Sequence, residues 1–148
     1  MGIKVRNFYF FFAGILAILF AFTHAWNGQT AVLPTLDVSV IALDTRTVFM
    51  YVWHIITAEN LIFGIVFIFM SFQSERLKIR FAAWTIVSLL IIRLMVILGI
   101  TALQDVSALK DTLIDSIAIV IYVTFIIMGI RRKPKVIRGQ MPQSGRVE

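Results

Sequence analysis

Four long apolar runs separated by short polar stretches dominate this chain, and they leave it few possible folds. They extend from about Phe8 to Ala25, Val48 to Phe72, Ile79 to Leu103 and Leu109 to Ile130. A helix needs about 20 mostly apolar residues to cross a bilayer, and each run qualifies. Backbone polar groups in hydrocarbon must be satisfied internally, which leaves helices or closed barrels. None of the runs alternates polar and apolar residues as a barrel strand does. The expected fold is therefore all-α, a four-transmembrane-helix up-down bundle. Of the 148 residues, 59% are apolar and 15% charged, whereas a soluble domain is about a quarter charged.

The distribution of charge orients the bundle. Lys4 and Arg6 precede the first run, Arg76, Lys78 and Arg80 separate the second from the third, and Arg131, Arg132, Lys133, Lys135, Arg138 and Arg146 follow the fourth. The other side has Arg46 and Lys110 together with Asp37, Asp44, Asp105 and Asp111. Basic residues collect on the cytoplasmic side of membrane proteins, so both termini are expected there. Lys4 and Arg6 before an apolar run also resemble the start of a signal peptide. Thr23-His24-Ala25 is a poor cleavage site, however, and the run is longer than a usual signal core, so it is expected to stay as a helix. Residues 1–131 then form the transmembrane domain. Residues 132–148, with Pro134, Pro142, Gly145 and many charges, form a basic tail that cannot bury a core and is expected to be disordered. Its start, Arg131 to Lys135, sits where anionic headgroups attract each charge by about 1 kcal/mol.

The stretch from Trp26 to Arg46 reads as a long outer loop. Leu33, Leu36, Val38, Val40, Ile41 and Leu43 make it apolar, and Pro34 interrupts a helix at its start. Such a loop is expected to lie on the membrane interface or across the bundle mouth, with Trp26 and Trp53 in the aromatic belt. The other two connections are short, which makes neighbouring helices antiparallel.

Polar residues inside the spans are the candidate functional groups. A charge at the centre of a spanning helix costs about 2.5–3.5 kcal/mol on insertion scales and faces a partner or a wet cavity. Glu59 lies near the middle of the second run and Arg93 slightly outward of the middle of the third. A structural ion pair is the simpler reading, because one carboxylate and one guanidinium neutralise each other; a proton or ion relay is the other. His24 and His54 lie toward the outer ends of the first two runs, where they can approach one another. Two facing histidines can ligate a metal or haem iron, although a zinc site usually has three or four ligands. Asp111 and Asp115, one turn apart on the fourth run, share a face, and Asp115 would supply a third ligand. Tyr51, His54 and Thr57 recur at three-residue spacing on the second run, and Asn60 adds an interhelical hydrogen-bonding group. A polar pocket of His24, Tyr51, His54, Thr57, Asn60, Asp111 and Asp115 is expected in the outer half.

Several classes are set aside. The chain has no cysteine, so it has no disulfide, thiolate metal site or cysteine nucleophile. No basic stripe is interleaved with aromatics as in nucleic-acid binders. No glycine-rich phosphate loop, nucleophilic triad or facing carboxylate pair is present, so acid–base catalysis has no support.

His24, Gly28, Pro34, Leu36, Arg46, Trp53-His54 and Thr57 together form an order that resembles a set of small bacterial four-span membrane proteins with no established activity. There a histidine ends the first helix, a proline-containing apolar loop follows and a Trp-His pair opens the second. The likeness covers about a quarter of the chain. Asn27 before Gly28 and the basic tail depart from it. The resemblance implies a bacterial inner-membrane protein in which His24 and His54 work together, and it implies no reaction.

Three functions follow as expectations. The first is a non-enzymatic bundle binding a ligand or partner membrane subunit in its outer polar pocket, as an oligomer or accessory subunit. The second is a small oligomeric transporter of a proton, ion or solute, using Glu59, Arg93 and Asp115. The third is a metal or haem protein with His24 and His54 as ligands; the first two need no cofactor. Lipid is the one partner common to all three. Reporter fusions at the C-terminus and between the second and third runs are expected to read cytoplasmic, and fusions in the Trp26–Arg46 loop to read external; a C-terminal fusion reading external would reverse the orientation.

Overall fold

The computed structural model describes residues 4–36 and 41–132, and among them it is all-helical. Helix α1 spans Phe8–Asn27 and continues through a π-helical turn, Gly28–Val32, and a 3-10 turn, Leu33–Leu36. Helices α2 (Leu43–Phe72) and α3 (Arg76–Gln104) follow, then a 3-10 stretch (Val106–Thr112) and α4 (Leu113–Arg131). All four helical units are long and apolar enough to cross a membrane. At 1.5 Å per residue, α2 alone is about 45 Å long, longer than the roughly 30 Å hydrocarbon layer. The basic tail expected beyond Arg132 lies outside the described residues, as do residues 37–40.

Two boundaries differ from those read in the sequence. The stretch after Trp26 is not an irregular loop in its described part: it prolongs α1 by two tighter-and-wider turns, and α2 begins at Leu43 instead of Val48. Pro34 is tolerated because it sits in the short 3-10 turn, where its missing N–H removes no α-helical bond. At the other connection, Val106–Thr112 is 3-10, so α4 starts later than Leu109. Asp105 caps that stretch by accepting from the Ser107 hydroxyl and backbone N–H, both of which hold its carboxyl below the ordinary range.

The helices run up and down, so the start of α1, the α2–α3 turn and the end of α4 share one end, called here the basic end. Around the bundle α1 packs most extensively on α2 and then on α4, and α3 packs on α4; α2 and α3 touch least. Asn7 closes the basic end. Its side-chain oxygen caps α1 by accepting from the N–H of Tyr9 and Phe10, and its amide donates to the Gly129 carbonyl at 2.9 Å. The N–H groups of Arg6 and Asn7 both donate to the Ser71 carbonyl. Arg132 adds a further tie, donating to the Arg6 carbonyl and lying over the Phe8 ring, while Arg76 donates to the Arg132 carbonyl.

Inside, Phe10, Ala13, Ala17, Phe63, Phe67, Val87, Leu90, Tyr122 and Ile126 form one core cluster. Two glycines let α1 and α2 meet closely: a Cβ added at Gly14 would stand 2.8 Å from the Gly64 carbonyl oxygen, and one at Gly64 would stand 2.9 Å from that of Gly14. With lipid on both sides, helix association depends on close packing of this kind. Replacing Gly14 or Gly64 by valine is therefore expected to destabilise the bundle by about 1–3 kcal/mol, read as a lowered thermal midpoint in detergent. Gly99→Ala, at a position where a Cβ meets nothing, is expected to leave the midpoint within error.

Candidate functional site

Arg93 is the centre of the polar site. Its Nη1 donates to the Asn60 side-chain oxygen at 3.0 Å, and its Nη2 forms a salt bridge with Glu59. Asn60 is buried on the face of α2 that carries Phe63 and Phe67, and adjacent Glu59 lies on the flank toward α3. The network thus spans the seam between the two helices that pack least. It is not sealed, because the Arg93 and Glu59 side chains keep 20% and 37% of their surface accessible.

A second group lies toward the far end, away from the basic end. The His24 ring stacks on the Trp53 indole, with centroids 4.2 Å apart and planes 7° from parallel. Trp53 Nε1 donates to the His24 carbonyl at 2.9 Å. Gly28 makes room for the indole: a Cβ there would stand 2.0 Å from Trp53 Nε1. The π-helical turn begins at this glycine, and such turns often mark functional positions. His54 faces away from the stack and lies 3.4 Å from the Gln29 amide nitrogen. Beyond Trp53, the prolonged α1 and the start of α2 enclose an apolar cavity of about 240 Å³, with Val32, Leu33 and Leu36 on one wall and Phe49, Val52, Trp53 and Ile56 on the other.

The buried faces of α1, α2 and α3 are mainly apolar toward the basic end, where Ser71 is an exception, and carry polar residues toward the far end. His24 lies seven residues beyond Ala17, Arg93 seven beyond Ile86, Asn60 seven before Phe67 and Thr57 seven before Gly64. Seven residues are about two turns, so each of these continues the line of its buried partner. Asp115, seven before Tyr122, is exposed in the first turn of α4.

The remaining residues of the expected pocket are not gathered there. Tyr51, His54, Asp111 and Asp115 are exposed, whereas Thr57 is part-buried on the core line, its hydroxyl donating to the Trp53 carbonyl of its own helix. Tyr51 and Asp111 therefore lie off the core face. Among the described residues, no three histidine, aspartate or glutamate side chains cluster as metal ligands; the His24 ring stacks on Trp53 with its Nε2 unpaired, and the His54 ring neighbours Gln29. Trp26 is 74% exposed, as a belt residue would be, whereas Trp53 is half-buried. Comparison with protein-family models, curated proteins and solved structures finds no match to this chain. The site stands on its geometry alone.

Two contributors escaped the reading of the sequence. Tyr122 was hidden inside an apolar run, although its position seven residues after Asp115 is a signal. The Gly28–Trp53 contact had none, since it depends on how the prolonged α1 leans on α2. Removing one charge of the network strands the other. Arg93→Leu or Glu59→Leu alone is expected to destabilise by about 2.5–3.5 kcal/mol, and the paired change to fall well short of the sum; thermal unfolding of the three variants checks this.

Proposed function

We propose that this chain is a multi-pass protein of a bacterial inner membrane, with both termini cytoplasmic, which binds a ligand or a partner subunit in the outer half of the bundle and catalyses no reaction. The observation that carries this reading is the change of chemistry along the core faces of α1, α2 and α3. Polar residues on the buried line of a spanning helix cost stability unless something polar meets them. Here His24, Asn60 and Arg93 lie toward one end, the latter two joined in a network still partly accessible. The positive-inside pattern makes that half the outer one.

Transport is less well supported. A path would have to pass the inner half, where Phe10, Phe67 and Ile126 are packed without exposed surface. Binding needs only the half that is polar. Ligation of a metal by the two histidines is also less favoured, because each ring already has a different neighbour.

The paired variant Arg93→Leu/Glu59→Leu tests the reading, since it removes the recognition element without stranding a charge. Protein purified in mild detergent is expected to carry a bound species, detected by native mass spectrometry, and the paired variant to lose at least about tenfold of it, a difference of about 1.4 kcal/mol. Equal occupancy in both proteins would refute the reading.

A further inference from the structure

Close packing stops at one level of the bundle. Apart from Gly28 beneath the Trp53 indole, the last buried residues toward the far end are Ala21, Asn60, Leu90 and Tyr122, one on each helix. Beyond that level α1, α2 and α3 carry the part-buried His24, Thr57 and Arg93, and Asp115 on α4 is exposed.

Tyr122 stands at the boundary and is incompletely satisfied. It is 2% exposed, and its ring is held edge-on by Phe20 and Phe67 at 5.9 and 6.1 Å, but its hydroxyl has no hydrogen-bond partner. The buried His24 Nε2 has none either. Buried polar groups are nearly always paired, with protein or with water.

Direction and donor count identify what would pair with Tyr122. Helical side chains lean toward the N-terminus of their own helix. α4 starts at the far end, so Tyr122 leans that way; α3 starts at the basic end, so Arg93 leans back toward Tyr122. Arg93 has five N–H donors and spends one on Asn60 and one on Glu59. Unused donors therefore remain beside a charge that Glu59 already neutralises. A neutral acceptor suits such a place, water first of all. An anion would meet Glu59 and Asp115.

We propose that the outer half of the bundle is a water-filled vestibule that ends on the Tyr122 hydroxyl and the Arg93 guanidinium, and that it admits small neutral molecules bearing hydrogen-bond acceptors from the outer side. The proposal rests on the binding reading above and narrows its ligand to a water-soluble class, in place of a lipid arriving sideways through the α2–α3 seam.

The absence of native cysteine makes the test clean. Tyr122→Cys in the full chain, in membranes of known sidedness, is exposed to a charged, membrane-impermeant methanethiosulfonate. Only a thiolate in water reacts well. Ile126→Cys, one turn deeper in the packed half, and Met95→Cys, on the exposed face of α3, serve as comparators. Tyr122→Cys is expected to react at least about tenfold faster than either, and only from the outer side. A rate equal to that of Ile126→Cys, or reaction only from the inner side, overturns the vestibule. Tyr122→Phe supplies a second reading that needs no cysteine. If water bonds the hydroxyl, its removal lowers the thermal midpoint; if the hydroxyl is dry, its removal raises the midpoint and the proposal fails. Neither measurement involves a bound species, so the binding reading stands or falls separately, on the paired Arg93 and Glu59 variant.

Discussion

The contact of Arg93 with Glu59 and Asn60 is the constraint around which this bundle is arranged. α2 and α3 are joined by a tight turn, yet they pack less on one another than any other neighbouring pair. With little apolar contact between them, the guanidinium bridge is what holds their middle sections at one spacing. Hydrocarbon offers no alternative partner for either charge. The bridge also fixes rotation: Asn60 is buried only if α2 turns Phe63 and Phe67 inward, and that same turn puts Trp53 against α1.

Packing and polarity are thus divided between the two halves. Toward the basic end, glycines let backbones approach, and aromatic rings fill what remains. Phe10 lies against Gly129 and Phe67, and Phe67 reaches Tyr122 across the bundle. Toward the far end the helices are held by directional contacts instead: the His24–Trp53 stack, the Trp53 hydrogen bond and the Arg93 network. A dense half of low polarity can serve as a rigid base for a looser polar half.

The spans were legible in the sequence because hydrocarbon imposes length and composition directly, and Glu59 and Arg93 were legible because charge is so rare in such segments. The prolongation of α1 past Trp26 was not. Pro34 and the apolar punctuation suggest a loop, and only the seat that Gly28 makes for Trp53 shows why helical turns persist there. The polar set was read too broadly, since spacing by three put Tyr51 with His54 and Thr57, whereas the buried line of α2 passes through Thr57 and Asn60. Tracing each apolar face onward by seven residues selects His24, Thr57, Asn60 and Arg93, and it finds Tyr122 as well. Asn7 could not be anticipated, because its partner carbonyls belong to the ends of α2 and α4.

That last tie bears on how the molecule is made. Asn7 is made well before α4, and its side-chain amide finds its acceptor on Gly129, 122 positions later. The Arg6 carbonyl likewise waits for Arg132. Chains form from the N-terminus onward and their parts settle in that order, so the opening turn of α1 stays only partly anchored until α4 arrives. The stitch that fastens the start of α1 to the end of α4 is therefore tied after the other helices are made, and a chain truncated before Gly129 would keep α1 without that tether.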